Sequence, residues 1–134
     1  MKIVADKNIP FLEGVFEPYA EVVYKTGSAI AAADVADADA LIVRTRTRCD
    51  RGLLEGSRVK FIATATIGYD HIDTDYCREA GIIWTNCPGC NAGSVEQYVR
   101  SSLLLLESRK GFWLEGATLG VVGVGHVGSR VARM

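Results

Sequence analysis

The chain has 134 residues, 49% hydrophobic, 23% charged and 8% aromatic, too apolar for a disordered segment and enough for one proper core but not two full domains. Fifteen Lys and Arg against 16 Asp and Glu give a net charge of -1, which offers no general pull toward nucleic acid or anionic lipid. No run approaches the roughly 18 consecutive apolar residues of a membrane span, and Asp6 and Lys7 interrupt any secretory signal, so a cytoplasmic protein with four free thiols (Cys49, Cys77, Cys87, Cys90) is expected.

Short β-branched runs alternate with helix-like segments, the pattern of a parallel α/β sheet. Residues 2–6 read as a first strand, followed by an amphipathic stretch over 10–19. Residues 21–25 are a second strand, with a turn at Thr26-Gly27. The Ala- and Asp-rich segment 29–40 reads as a short surface helix with Asp34 and Asp37 facing water. Residues 40–44 are a nearly continuous apolar third strand, as expected where both faces are covered. Strands four and five fall at 60–64 and 82–85, and between them a helix over 73–80 is stopped by Gly81. The longest helix is expected from about Gly93 to Arg109. Ser94 and Gln97 form a capping-box pattern, and Val95, Tyr98, Val99, Ser102, Leu103 and Leu106 recur at helical spacing. Residues 118–124 then read as a sixth strand, running into a glycine-rich turn and a helix-like 129–134. A five-stranded unit thus ends near residue 90, and a second unit has barely begun at Met134.

Gly123-Val-Gly125-His-Val-Gly128 matches G-x-G-x-x-G between a predicted strand and a predicted helix, the context that gives the motif meaning. Gly123 would make the tight turn, Gly125 would let a pyrophosphate approach the backbone, and Gly128 would allow close helix–strand packing. Backbone N–H groups around His126 and Val127 would meet the phosphates. The bland alternative is a glycine-rich turn without a ligand. A dinucleotide site also needs an acidic residue about 20 positions later. That position lies beyond Met134, so the chain reads as a piece of a longer protein.

Four segments then occur in a telling order: Val43-Arg44-Thr45, Thr64 to Asp73, Pro88-Gly-Cys-Asn-Ala92 and Gly120 to Gly128. As a set they resemble the D-isomer-specific 2-hydroxyacid dehydrogenases, along essentially the whole chain. The Thr64-Ala-Thr66 and Pro88–Ala92 pair favours members that act on a phosphorylated sugar acid. The resemblance implies an α/β fold: a flavodoxin-like parallel sheet substrate domain over residues 1–92, then over 93–134 a linking helix with the first strand and helix start of a truncated Rossmann NAD-binding domain. It implies NAD as cofactor, a small phosphorylated sugar acid as substrate, and a homodimer. Family members pass a hydride between C2 of the substrate and the nicotinamide, with a His–Glu acid/base pair and an Arg for the carboxylate. Those three follow the glycine motif in the family, so no catalytic residue is assigned here. His71 reads as a hydrogen-bonding structural residue, and His126 stands where relatives more often have Asn.

Two substrate contacts carry over by position. Thr45 matches the family's Ser/Thr after the strand-end Arg, and Thr66 the second hydroxyl of the Thr-Ala-Thr loop. Hydroxyls at the carboxyl ends of parallel strands are where α/β ligands bind, although a strand-end cap or turn bond would use the same residues. The resemblance likewise makes Gly123, Gly125, His126, Val127 and Gly128 the candidate cofactor-binding residues.

In an extended conformation Arg44, Arg46 and Arg48 would share one face, a plausible grip for an anion, but a solvated basic strand end explains them as well. Cys87-Pro-Gly-Cys90 has C-x-x-C spacing. Zinc would need two further ligands, which Cys49 and Cys77 do not supply as a second pair, and a thioredoxin-like redox motif would sit at a strand-to-helix start, not far from the loop before Ser94. The resemblance at Pro88–Ala92 instead implies a loop lining the interdomain cleft, and no metal is assigned. The readings carried forward are an NAD-dependent dehydrogenase for a phosphorylated sugar acid, a relative using another acid such as 3-phosphoglycerate, and a non-catalytic flavodoxin-like binding module.

Overall fold

β-Branched and aliphatic runs form five short strands: β1 (Lys2–Asp6), β2 (Glu21–Lys25), β3 (Ala40–Val43), β4 (Phe61–Thr64) and β5 (Ile83–Thr85). The computed structural model describes residues 1–111 and 113–134. All strand pairs are parallel, in the order β2-β1-β3-β4-β5. This is the flavodoxin-like order, whose switch point lies between β1 and β3. The register sets Val23, Val4, Leu41, Ile62 and Trp84 in one row across the sheet. Against that row pack Val35 of α1 (Ala32–Val35), Leu54 of α2 (Arg51–Leu54) and Cys77 of α3 (Thr74–Ala80), forming one buried cluster. Gly81 closes α3 in the left-handed region at φ 68°, where glycine carries no Cβ penalty.

The helix α4 (Ala92–Lys110) and the short α5 (Gly128–Val131) belong to a second compact unit. The chain divides into Met1–Cys87 and Pro88–Met134. Arg109 and Lys110 lie in the last turn of α4, where positive charge offsets the helix dipole, and Gly111 ends it at φ 64°.

Several local expectations change. The stretch 10–19 folds as successive turns, including Val15 N–H to Leu12 O and Tyr19 N–H to Phe16 O, because Gly14 adopts φ 87° and Pro18 has no N–H to donate. Within 29–40 the helix shrinks to α1, and Asp34 does not simply face water: it pairs with Lys25 and accepts the Ala31 N–H. The helix α4 begins at Ala92, with Asn91 as N-cap and no side-chain cap bond, so Ser94 sits inside the first turn rather than capping it. A turn from Gly89 O to Ala92 N–H starts the helix earlier than the Ser94 pattern suggested. Residues 118–124 form no strand: a strand is made by its ladder, and no described residues pair with this run, leaving Val122 and Val124 exposed. The helix start at Gly128 does form.

Candidate functional site

The buried polar side chains of the first unit, Asp6, Thr47 and Thr64, lie at or just after the carboxyl ends of β1, β3 and β4. Asp6 ends β1 fully buried and lies across the β1/β3 switch point from Arg44, whose Nε donates to Asp6 Oδ2 at 3.1 Å. Asp6 Oδ1 accepts from the Asn8 backbone at 3.0 Å and from Asn8 Nδ2 at 3.1 Å. Burial alone would push the Asp6 carboxyl up, but the Asn8 N–H and the Arg44 guanidinium outweigh it and hold it below the usual carboxylate range. Gly27 closes this end: a Cβ there would lie 2.7 Å from Asp6 Oδ2 and 3.0 Å from Thr47 Oγ1, and Thr47 Oγ1 donates to Gly27 O at 2.9 Å.

After β3 the chain turns at once, with Thr47 N–H bonded to Arg44 O. The three arginines therefore do not share one face as an extended run would. Arg44 turns inward to Asp6, Arg48 pairs with Asp50, and Arg46 is exposed. Thr45 is exposed on the same turn and lines a hollow of about 350 Å³ with Arg48, Gly68, Asp70 and His71. Thr66 is half-buried on the next loop, its Oγ1 3.0 Å from Gly68 O and 2.7 Å from Thr64 Oγ1. Thr64 in turn contacts His71 Nε2 at 3.0 Å, the hydrogen-bonding role expected of that histidine. Burial lowers the His71 imidazole below its ordinary range, and the nearby Asp70 carboxylate opposes this. Thr66 O also accepts the Cys87 N–H at 3.1 Å, which ties the loop to the end of β5. Asp6 and Gly27 were not singled out as site residues from the sequence, and Thr64 entered only as part of the Thr64-Ala-Thr66 resemblance. An acidic residue closing an apolar strand is the one signal that could have marked Asp6.

The glycine-rich turn lies wholly in the second unit. Gly123 adopts φ 89°, a conformation that needs glycine. A Cβ on Gly128 would overlap the Gly123 carbonyl oxygen, whereas one on Gly125 would meet nothing within 4 Å. Gly123 thus makes a tight turn, Gly125 stands open and Gly128 is closely packed. Among the described residues no acceptor is bonded to the N–H of His126 or Val127. Gly120, Gly123, Gly125 and Gly128 line a hollow of about 500 Å³ with Val99 and Val131. The His126 ring lies against Gly89, whose φ is 75°. Cys87 and Cys90 are exposed and free, and no described residues form a group of three or more metal ligands.

A family model described as D-isomer specific 2-hydroxyacid dehydrogenase, catalytic domain, matches residues 2–122. The chain belongs to this dehydrogenase family. Within it, an erythronate-4-phosphate dehydrogenase of Bacteroides fragilis is 59% identical over 133 residues, covering 98% of this chain and 38% of the relative. One of Chromohalobacter salexigens is 54% identical, covering 98% of this chain and 34% of the relative. The chain therefore spans little more than a third of the length of these curated relatives. Among solved dehydrogenases, a D-lactate dehydrogenase from Aquifex aeolicus complexed with NAD and lactic acid matches with a TM-score of 0.76 and 26% identity, covering 99% of this chain and 47% of that one. An NAD+-bound 3-phosphoglycerate dehydrogenase from Entamoeba histolytica gives 0.70 and 29%, covering 99% and 49%. No helix among the described residues is long and apolar enough to cross a membrane.

Proposed function

We propose that this chain is the acid-binding part, with the opening of the cofactor-binding part, of an NAD-dependent dehydrogenase that oxidises 4-phospho-D-erythronate to its 2-oxo acid in pyridoxal 5'-phosphate biosynthesis. The observation that carries this reading is the agreement, along nearly the whole chain, with relatives named for that activity. Residues 1–92 serve as the substrate domain, and residues 93–134 begin the cofactor domain. Thr45 on the hollow and Thr66 on the neighbouring loop bind the anionic acid, beyond the carboxyl ends of β3 and β4, the side of a parallel sheet where α/β ligands sit. Gly123, Gly125, His126, Val127 and Gly128 hold the pyrophosphate through backbone N–H groups. NAD, when bound, accepts the hydride from C2 of the acid. The working protein is a cytoplasmic homodimer.

The test is calorimetric binding of 4-phospho-D-erythronate and of 3-phosphoglycerate to this chain and to Thr45→Val. Valine keeps the branched shape and removes only the hydroxyl. The erythronate should bind more tightly than the glycerate, and Thr45→Val should weaken it about 10-fold, the loss of a hydrogen bond to a charged oxygen. Equal affinity for the two acids overturns the substrate assignment, and an unchanged affinity in Thr45→Val removes Thr45 from the site.

A further inference from the structure

Each threonine hydroxyl carries one proton, so the bonds around Thr66 have a direction that can be counted. Thr66 Oγ1 lies 3.0 Å from the Gly68 carbonyl oxygen, which can only accept, so the Thr66 proton points there. The 2.7 Å contact between Thr66 and Thr64 must then be donated by Thr64. Thr64 has no second proton, so its 3.0 Å contact with His71 is donated by Nε2–H of the imidazole. The parts of this chain are held firmly. Thr64 is buried at the end of β4, and the His71 carbonyl accepts the Cys49 N–H at 2.8 Å beside the Cys49–Ile72 bridge.

We infer that His71 and Thr64 are positioning residues that hold the Thr66 hydroxyl as a hydrogen-bond donor toward an unprotonated ligand oxygen, one of a phosphate or carboxylate. The inference rests on the reading of Thr66 as a substrate residue. When the acid arrives, the Thr66 O–H turns from the Gly68 carbonyl to the ligand oxygen. The Thr64-to-Thr66 and His71-to-Thr64 bonds persist, and no proton changes owner. One acceptor replaces another, so Thr66 is never left with an unsatisfied donor. A charge-assisted bond to the ligand is also stronger than the carbonyl bond it replaces. The arrangement requires hydrogen on His71 Nε2 and leaves Nδ1 of the neutral ring as an acceptor. Protonating the ring keeps Nε2–H in place and so does not reverse the relay.

Two measurements test this. Imidazole nitrogen chemical shifts, read by NMR on the unmodified chain at neutral pH, should report the Nε2–H tautomer of His71; the Nδ1–H tautomer overturns the relay without any variant being made. Calorimetric titration with 4-phospho-D-erythronate should show Thr66→Val, Thr64→Val and His71→Leu each weakening binding about 3- to 10-fold. Thr64→Ser and His71→Gln, which keep a donor at the same place, should restore it. If Thr66→Val weakens binding while Thr64→Val and His71→Leu do not, the relay is overturned and Thr66 remains a substrate residue. If Thr66→Val has no effect, the substrate reading of Thr66 fails, and the role of His71 falls with it.

Discussion

Arg44 Nε donates to Asp6 Oδ2 at 3.1 Å across the point where the strand order reverses, joining the ends of β1 and β3 by a carboxylate that has no exposed surface. Because the Asp6 carboxyl is held below its unfolded value, its contribution to stability is complete above the ordinary carboxylate range and is lost as pH falls through the folded value. Asp6→Asn keeps an acceptor for Asn8 but presents an amide to a guanidinium. Since Arg44 is about one-third exposed and can be rehydrated, the expected loss is about 1–3 kcal/mol at neutral pH. Denaturant titrations at neutral pH and near pH 3 should show a smaller difference between variant and wild type at the acid end. A difference that does not shrink means the pair does not hold the carboxyl down.

Gly27→Ala places a methyl group 2.7 Å from Asp6 Oδ2 and 3.0 Å from Thr47 Oγ1, too close for either. Both neighbours are buried and hydrogen-bonded, so relief means breaking a bond rather than swinging a free side chain. An overpacking cost of about 1–3 kcal/mol is expected. A thermal melt no lower than wild type would show that this pocket has slack.

His71 titrates in the opposite environment. Its folded value lies below the ordinary 6.5, chiefly through burial, so the neutral ring is the form that folding favours. The unfolded chain then binds more protons over the window between the two values, and stability rises with pH there. The contribution is fully present above pH 6.5 and is lost as pH falls through the folded value. His71→Gln should flatten that limb of a melting-temperature profile taken between about pH 5 and 8. An unchanged profile would place its origin elsewhere.

The glycine turn separates space needed by the protein from space left for a ligand. Gly128→Ala drives a Cβ into the Gly123 carbonyl and should loosen the Pro88–Met134 unit, visible as lost amide-exchange protection. Gly125→Ala meets nothing within 4 Å and should leave that protection unchanged. Its methyl group would instead block the backbone from a pyrophosphate, so NAD binding followed by ligand-observed NMR should fall in both variants. Undiminished NAD binding by Gly125→Ala would remove the turn from the cofactor site.

The five strands were legible because each carries its own apolar run, and the parallel arrangement followed from the helix-like segments between them. What depended on a partner was not. The run 118–124 has the composition of a strand but no neighbour to pair with among the described residues, and Ser94 has the composition of a cap but lies past a turn that begins at Gly89. The Arg44–Arg48 alternation looked one-sided only while the backbone was taken as extended, and the bond from Thr47 N–H to Arg44 O removes that premise. Thr45 and Thr66 were visible through resemblance alone. The hydrogen bonds that give Thr66 a direction come from Thr64, two residues away, and from His71 across a loop whose path the sequence does not declare.

Trp84 stacks on Tyr69 with ring centroids 4.8 Å apart and planes tilted by 39°, while the other tryptophan, Trp113, is exposed and lies in the Pro88–Met134 unit. The molecule therefore holds one indole per unit, in surroundings that differ in wetness and so in emission colour. Tyr69 follows directly on the Thr66–Gly68 loop, and its carbonyl accepts the Ile72 N–H at 2.8 Å. A shift of that loop must disturb the ring on which Trp84 rests. Fluorescence of the bluer indole is thus a label-free optical gauge of the loop that carries Thr66, with Trp113 as an internal reference.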